Sequence, residues 1–156
     1  DPLWSRGLGD VYKRQIIGNM RTLTSRFDTT TYTTVEQNLS IDEDGIVGEF
    51  AFCKHWNIFF NPEVRYRNHT FDAMLKNQRV DIKTPRRKDG RLMAPLKINP
   101  DVDVFVLGIL DGDEVIFPGY ATAKMLYQEK NHFQPYQNHT VYALEQKDLA
   151  PWKDQT

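Results

Sequence analysis

The sequence predicts an α/β (α+β) domain of mixed helices and strands. Three stretches carry this. Asp103–Leu110 is an almost continuous apolar run and reads as a central strand buried on both faces. Upstream, Thr70–Leu75 and Arg79–Thr84 alternate polar and apolar residues, the period of half-buried strands. Before them, Ser40–Trp56 places Ile46, Phe50 and Cys53 at helical spacing, the buried stripe of an amphipathic helix.

Length and composition fit that class. A chain of 156 residues with 40% hydrophobic and 26% charged residues suits one soluble domain with a real core. A net charge of −1 supplies no global basic field, so any nucleic-acid contact has to come from a local patch. The lone cysteine, Cys53, excludes an intrachain disulfide and a Cys-based zinc site, and points to a reducing, cytoplasmic setting. No apolar run reaches the length of a membrane span, so no membrane partner is expected.

In chain order, residues 1–19 fit no period and do not begin with Met. We read them as a non-native or disordered tail, with Met20 the natural start and 20–156 a single domain. Thr22–Gln37 is Thr-rich and is either a short strand or an extended lead-in. In the helix Ser40–Trp56, Ser40 with Glu43 fits a capping box, although Asp42 or Asp44 could cap instead. Glu49 lies on the apolar stripe, where an acid is costly unless paired or metal-bound; otherwise it sits at the stripe's edge and reaches solvent. Gly45 and Gly48 allow close packing against a sheet. An Asn61-Pro62 turn precedes a possible strand, Glu63–Arg67, with Arg65 and Arg67 on one face.

After the alternating runs, Pro85–Arg91 is a basic loop. Asp111–Glu114 is the turn of a hairpin, followed by a strand at Val115–Tyr120 and a helix at Ala121–Lys130. Asn131–Asn138 reads as a polar, aromatic-bearing loop and Val141–Leu144 as a last edge strand, with Leu149–Trp152 packing or fraying.

The alternating runs hold the candidate chemistry. With Lys76-Asn77-Gln78 as a turn, they form a β-hairpin. Asp72 and Met74 share one face of the first strand, and Arg79, Asp81 and Lys83 share one face of the second. An even-numbered loop sets Asp72 opposite Asp81 or Lys83 on the same face. Facing carboxylates repel unless a cation lies between them. A hard cation such as Mg²⁺ suits one or two carboxylates, because it keeps several waters. The plainer reading is an exposed hairpin with a solvated Asp–Lys face.

A helix with Glu49, a hairpin with Asp72 and then Asp81-Ile82-Lys83, a buried strand, a further strand and a helix together resemble the PD-(D/E)XK nuclease superfamily. The resemblance spans roughly Ser40 to Lys130 and is narrower toward small phage and bacterial members, which often carry Gly-Trp where this chain has Gly119-Tyr120. Phe71 stands where the family commonly has Pro, and Asp81 where Glu is commoner. The resemblance implies a restriction-endonuclease-like αβββαβ core, a central mixed β-sheet flanked by helices. It implies a Mg²⁺- or Mn²⁺-dependent DNA nuclease in a bacterial or phage-infected cell, with a homodimer possible. Glu49, Asp72, Asp81 and Lys83 would be catalytic. Asp72, Asp81, the Ile82 backbone carbonyl and Glu49 would hold the metal, and Lys83 would orient or help deprotonate water. Arg86, Arg87, Lys88 and Arg91 would hold the DNA backbone, with Lys124 and Tyr120 lining the same groove, or Tyr120 belonging to the core instead. The alternative is an inactive nuclease-fold module that binds nucleic acid or serves structure, and the complete tetrad argues against it.

Overall fold

The computed structural model of the chain describes residues 35–60, 71–111 and 114–152. The expected tail over 1–19, most of Thr22–Gln37, the Asn61-Pro62 turn and the strand Glu63–Arg67 lie outside the described residues.

The first described element is helix α1, Val35–His55. It begins before Ser40, so Ser40 falls inside it and does not open it. Its end follows from Asn57, which takes a left-handed φ of 53°. Ile58 N–H donates to Cys53 O at 2.8 Å and Asn57 N–H to Lys54 O at 3.1 Å, closing the helix with a Schellman pair. The buried side is broader than Ile46, Phe50 and Cys53: Val47, Ala51 and Phe52 are buried too. Phe50 is only half-buried and packs edge-on against Phe60 at 5.4 Å.

Strands β1 (Ala73–Leu75) and β2 (Gln78–Lys83) form the expected antiparallel hairpin. The turn is two residues rather than three. Lys76 and Asn77 both take positive φ, 49° and 63°, as a type I′ turn requires, and Gln78 already pairs with Leu75. Strand β3, Leu92–Pro95, has no counterpart among the elements expected from the sequence. Strand β4, Val104–Asp111, runs parallel to β2 and antiparallel to β5, Glu114–Thr122. Beyond β5 the expected ten-residue helix shortens to one turn, α2, Ala123–Leu126, capped by the Thr122 hydroxyl, which accepts from Met125 N–H. The expected loop over Asn131–Asn138 contains strand β6, His132–Tyr136. The expected edge strand is β7, His139–Leu144, and it lies in the middle of a sheet.

The strands form two sheets. One is mixed, in the order β1-β2-β4-β5, and the other antiparallel, in the order β3-β7-β6. Strand β4 separates two cores. On one face Val104 and Val106 join Val80, Ile82 and the helix residues Val47, Ala51, Phe52 and Cys53. On the other, Phe105, Leu107 and Ile109 join Leu92, Ala94, Leu126 and Leu149. The expectation of a strand buried on both faces therefore holds, but the second cover is chiefly a β-sheet and not a helix. Near the C-terminus, Ala150 bridges to Tyr120, and Trp152 Nε1 donates to Phe117 O at 3.0 Å. Among the described residues no helix is long and apolar enough to cross a membrane.

Candidate metal centre

The β1–β2 register decides which groups meet. Ala73 pairs with Val80 and Met74 with Arg79, and Asp72 N–H donates to Val80 O at 2.8 Å. Carried one residue further, the register sets Asp72 opposite Asp81. The Asp72 carboxylate turns onto the backbone of the partner strand: Oδ2 accepts from Ile82 N–H at 2.7 Å. Lys83 Nζ lies 2.9 Å from Asp81 Oδ1. That buried oxygen has no well-aligned hydrogen bond, so the lysine neutralises it without satisfying it.

Glu49 acts on the cluster from α1 through its charge on Asp72. Asp72 is held well above the usual carboxylate range, first by burial, then by the negative charges of Glu49 and Asp81. Ile82 N–H and Lys83 pull the other way and do not win. The residue is half-buried as a whole, but its carboxyl is packed deeply. Burial pulls the Lys83 ammonium down, yet Asp81 and Asp72 more than restore it and leave its pKa raised. Lys83 is therefore a cation in this setting and poorly suited to act as a base.

The two sides of the sheet contribute differently. Asp81 and Lys83 pair with Phe105 and Leu107, so they lie on the face turned away from α1. Glu49 acts from the α1 side, on Asp72 and on Cys53, whose thiol is pushed up to about 12 by burial first and by Glu49 and Asp72 next. Asp72 is thus the member that both sides share.

Several contacts at the site had no clear signal in the sequence. The Tyr127 phenol oxygen accepts from Asn99 N–H at 3.2 Å. Thr84 Oγ1 is buried with no hydrogen-bond partner. It sits against Gly48, where an added Cβ would overlap the hydroxyl. Only a glycine lets α1 come this close to the end of β2, and the next residue in the helix is Glu49. The signal available in the sequence was Gly48 itself, already read as a close-packing position.

The chemistry of the donor set fits a hard divalent cation. Two carboxylates, Asp81 and Asp72, act on one ammonium; an Asp81 oxygen is buried with no hydrogen-bond partner, and Asp72, which Glu49 also opposes, is costly to ionise without a counter-charge. Among the described residues no three His, Cys, Asp or Glu side chains are gathered as a ready-made cage. Mg²⁺ does not need one, since two carboxylates with waters are its usual set.

The basic loop is not a free cationic patch. Arg86 Nε pairs with Asp44 of α1 at 3.1 Å, and Lys88 with Asp111 at the end of β4 at 3.0 Å. Arg87 grips Asp89 through Nε and Nη2, each at 2.9 Å. Arg91 pairs with Glu145 at 3.2 Å. Every cation expected to hold DNA phosphates already holds an acid. Tyr120 packs on Trp152, with ring centroids 4.9 Å apart, and is part of an aromatic cluster, whereas Lys124 is exposed.

Compared with known proteins, the chain matches no family model, no curated protein and no solved structure.

Proposed function

We propose that this chain is a Mg²⁺- or Mn²⁺-dependent deoxyribonuclease of the PD-(D/E)XK kind, with Glu49, Asp72, Asp81 and Lys83 as its working residues. The observation that carries the reading is the hairpin register, which draws Asp72, Asp81 and Lys83 together, while Glu49 acts on Asp72 from the helix side. The order of helix, hairpin and doubly buried strand supports the family's core as the parent of the mixed sheet.

Asp72 and Asp81 would hold the metal, with the Ile82 carbonyl as a further donor and Glu49 adding negative charge from the helix side. Bound there, the ion supplies Lewis-acid charge to a phosphodiester and makes a water more acidic. Lys83 stays an ammonium and offsets the negative charge that builds on the phosphorus oxygens in the transition state. Ile82 N–H holds the Asp72 carboxylate in place at 2.7 Å, so the ligand is oriented before a substrate arrives. DNA would approach over the loop 85–91. The cations of its ion pairs are exposed and the Arg87–Asp89 and Lys88–Asp111 pairs are screened by solvent, so phosphates can take these cations from Asp89 and Asp111 and compete with the half-buried Asp44 for Arg86.

The test is a cleavage screen with Mg²⁺ or Mn²⁺ across linear, circular, single-stranded and branched DNA. Cleavage that disappears in Asp81→Ala and Lys83→Ala supports the reading. A wild type inert on every substrate, or an Asp81→Ala variant as active as wild type, overturns it.

A further inference from the structure

We propose that a cleft on the second sheet is a separate ligand site that takes one nucleotide unit, with its base stacked on Arg91 and its phosphate held by Lys130 and Lys147. The cleft measures about 290 Å³ and lies between the end of the basic loop, the β6–β7 hairpin and the 3₁₀ turns Glu129–Asn131 and Gln146–Asp148. Ligand clefts run from roughly 300 to 1,000 Å³, and this one, at the lower edge of that range, has room for no more than one nucleotide unit and none for a duplex.

Arg91 is the floor of the site. Its guanidinium lies 4.1 Å over the Phe133 ring, and Nη2 is held by Glu145 Oε1 at 3.2 Å. One face and one edge are thereby fixed, yet the side chain remains 35% exposed. A planar cation locked in this way presents its remaining face to a second flat group. Nucleobases stack on arginine planes because each has a π-face and the cation is weakly hydrated.

The walls select an anion. Arg91, Lys130 and Lys147 stand against Glu145 and Asp148, three cations to two carboxylates, which leaves the cleft positive by one. Lys147 shares Glu145 with Arg91, at 3.2 Å through Oε2. Lys130 makes no ion pair among the described residues and is exposed. Glu145 therefore carries two cations, and a phosphate entering the cleft can draw Lys147 from it while Arg91 keeps its place.

The cleft is joined to the metal centre through the chain. The loop that leaves Lys83 ends at Arg91, and Gln146 Nε2 straps it down by donating to Lys88 O at 2.7 Å and to Gly90 O at 3.1 Å. A nucleotide in the cleft is either a free one or the end of a strand whose scissile bond lies toward Lys83; only the second option rests on the nuclease reading.

Isothermal titration of the full chain in EDTA tests the site, with dAMP, deoxyadenosine and inorganic phosphate as probes. The expected result is that dAMP binds at least tenfold more tightly than either fragment. Arg91→Lys keeps the charge but loses the planar face, and should weaken dAMP by roughly five- to hundredfold, the range of one base–side-chain stack. Phe133→Leu should weaken it in the same direction, which guards against a misfolded Arg91 variant. The double substitution Lys130→Ala with Lys147→Ala should weaken dAMP and leave deoxyadenosine unchanged. No heat with millimolar dAMP, phosphate binding as tightly as dAMP, or an Arg91→Lys variant equal to wild type would each overturn the proposal. A single-stranded oligonucleotide that displaces dAMP supports the site with a strand end as occupant, and one that does not supports it with a free nucleotide. Asp81→Ala should bind dAMP as wild type does. Thus a protein that binds dAMP but cleaves nothing sinks the nuclease reading alone, and an active nuclease that ignores dAMP sinks this one alone.

Discussion

Replacing Asp72 by Asn should stabilise the metal-free protein at neutral pH and abolish the response to metal. The amide is the same size as the carboxylate, and its carbonyl can still accept from Ile82 N–H at 2.7 Å. What it removes is a charge that burial, Glu49 and Asp81 all disfavour. The sign follows from proton counting. The folded pKa of Asp72 lies above its unfolded value near 3.8, so between those two values the native state binds more protons than the unfolded state. Stability therefore falls as pH rises through that window and levels off above the folded pKa. For one proton the slope is at most about 1.4 kcal/mol per pH unit. Other acids titrate in both proteins, so the difference between wild type and Asp72→Asn isolates this group. That difference should be near zero at about pH 4 and should grow in favour of the variant as pH rises. Mg²⁺ should reverse it, because a ligand at a hundredfold excess over its Kd adds about 2.7 kcal/mol to a protein that binds it. Urea denaturation followed by circular dichroism, in EDTA and then in Mg²⁺, measures both. A difference that does not change with pH, or a wild type more stable than the variant in EDTA at neutral pH, would refute the reasoning.

Three further outcomes follow from the packing and the charges. Gly48→Ala should destabilise by about 1–3 kcal/mol, the cost of overpacking, because its Cβ would overlap Thr84 Oγ1; adding Thr84→Ala should recover part of that loss in thermal melts, and a double variant as unstable as the sum of the singles would refute the contact. Phe52→Ala, at a fully buried position among Trp56, Phe117 and Trp152, should cost about 3–5 kcal/mol in denaturant titration, and a loss under about 1 kcal/mol would mean that α1 does not pack as described. Replacing Arg86, Arg87 and Lys88 together by Ala should flatten the salt dependence of DNA binding by about two to three units, read by fluorescence anisotropy in Ca²⁺; an unchanged slope would show that these cations stay with Asp44, Asp89 and Asp111 when DNA binds.

The ion-paired loop also shows why charge runs mislead when read from sequence. Arg86, Arg87, Lys88 and Arg91 are consecutive or nearly so, and nothing local offsets them except Asp89. Their other partners come from Asp44, Asp111 and Glu145, each remote in the chain. A net charge near zero is a statement about the whole chain, and folding distributes the acids to where the bases already are.

Local periodicity determined the α1 stripe, the β1–β2 hairpin and the doubly buried β4, because each is set by residues within one element. The same local alternation puts Asp72, Asp81 and Lys83 on a common face, since a period of two leaves no other choice once the loop is even. Asn77 marked the hairpin turn by its tolerance of positive φ, whereas the two-residue length of that turn, with Lys76 also at positive φ, came from the structure. What the sequence left open were the elements whose conformation depends on distant partners. Strand β3 is short and pairs with β7 some fifty residues later, and β6 carries Gln and Pro in place of a clean alternation. Residues 121–130 look helical by composition, yet Ala121 and Thr122 pair with Phe105 and Val104 and are drawn into β5, and at the other end Asn131 Nδ2 donates to the Met125 and Leu126 carbonyls, which leaves a helix of a single turn. Propensity is worth a few tenths of a kcal/mol per residue and yields to a ladder of backbone hydrogen bonds against a buried strand. The tertiary structure alone decided that Asp81 and Lys83 face the second sheet while Glu49 acts from the helix side, because the face a strand turns toward its neighbours is fixed by what packs on it.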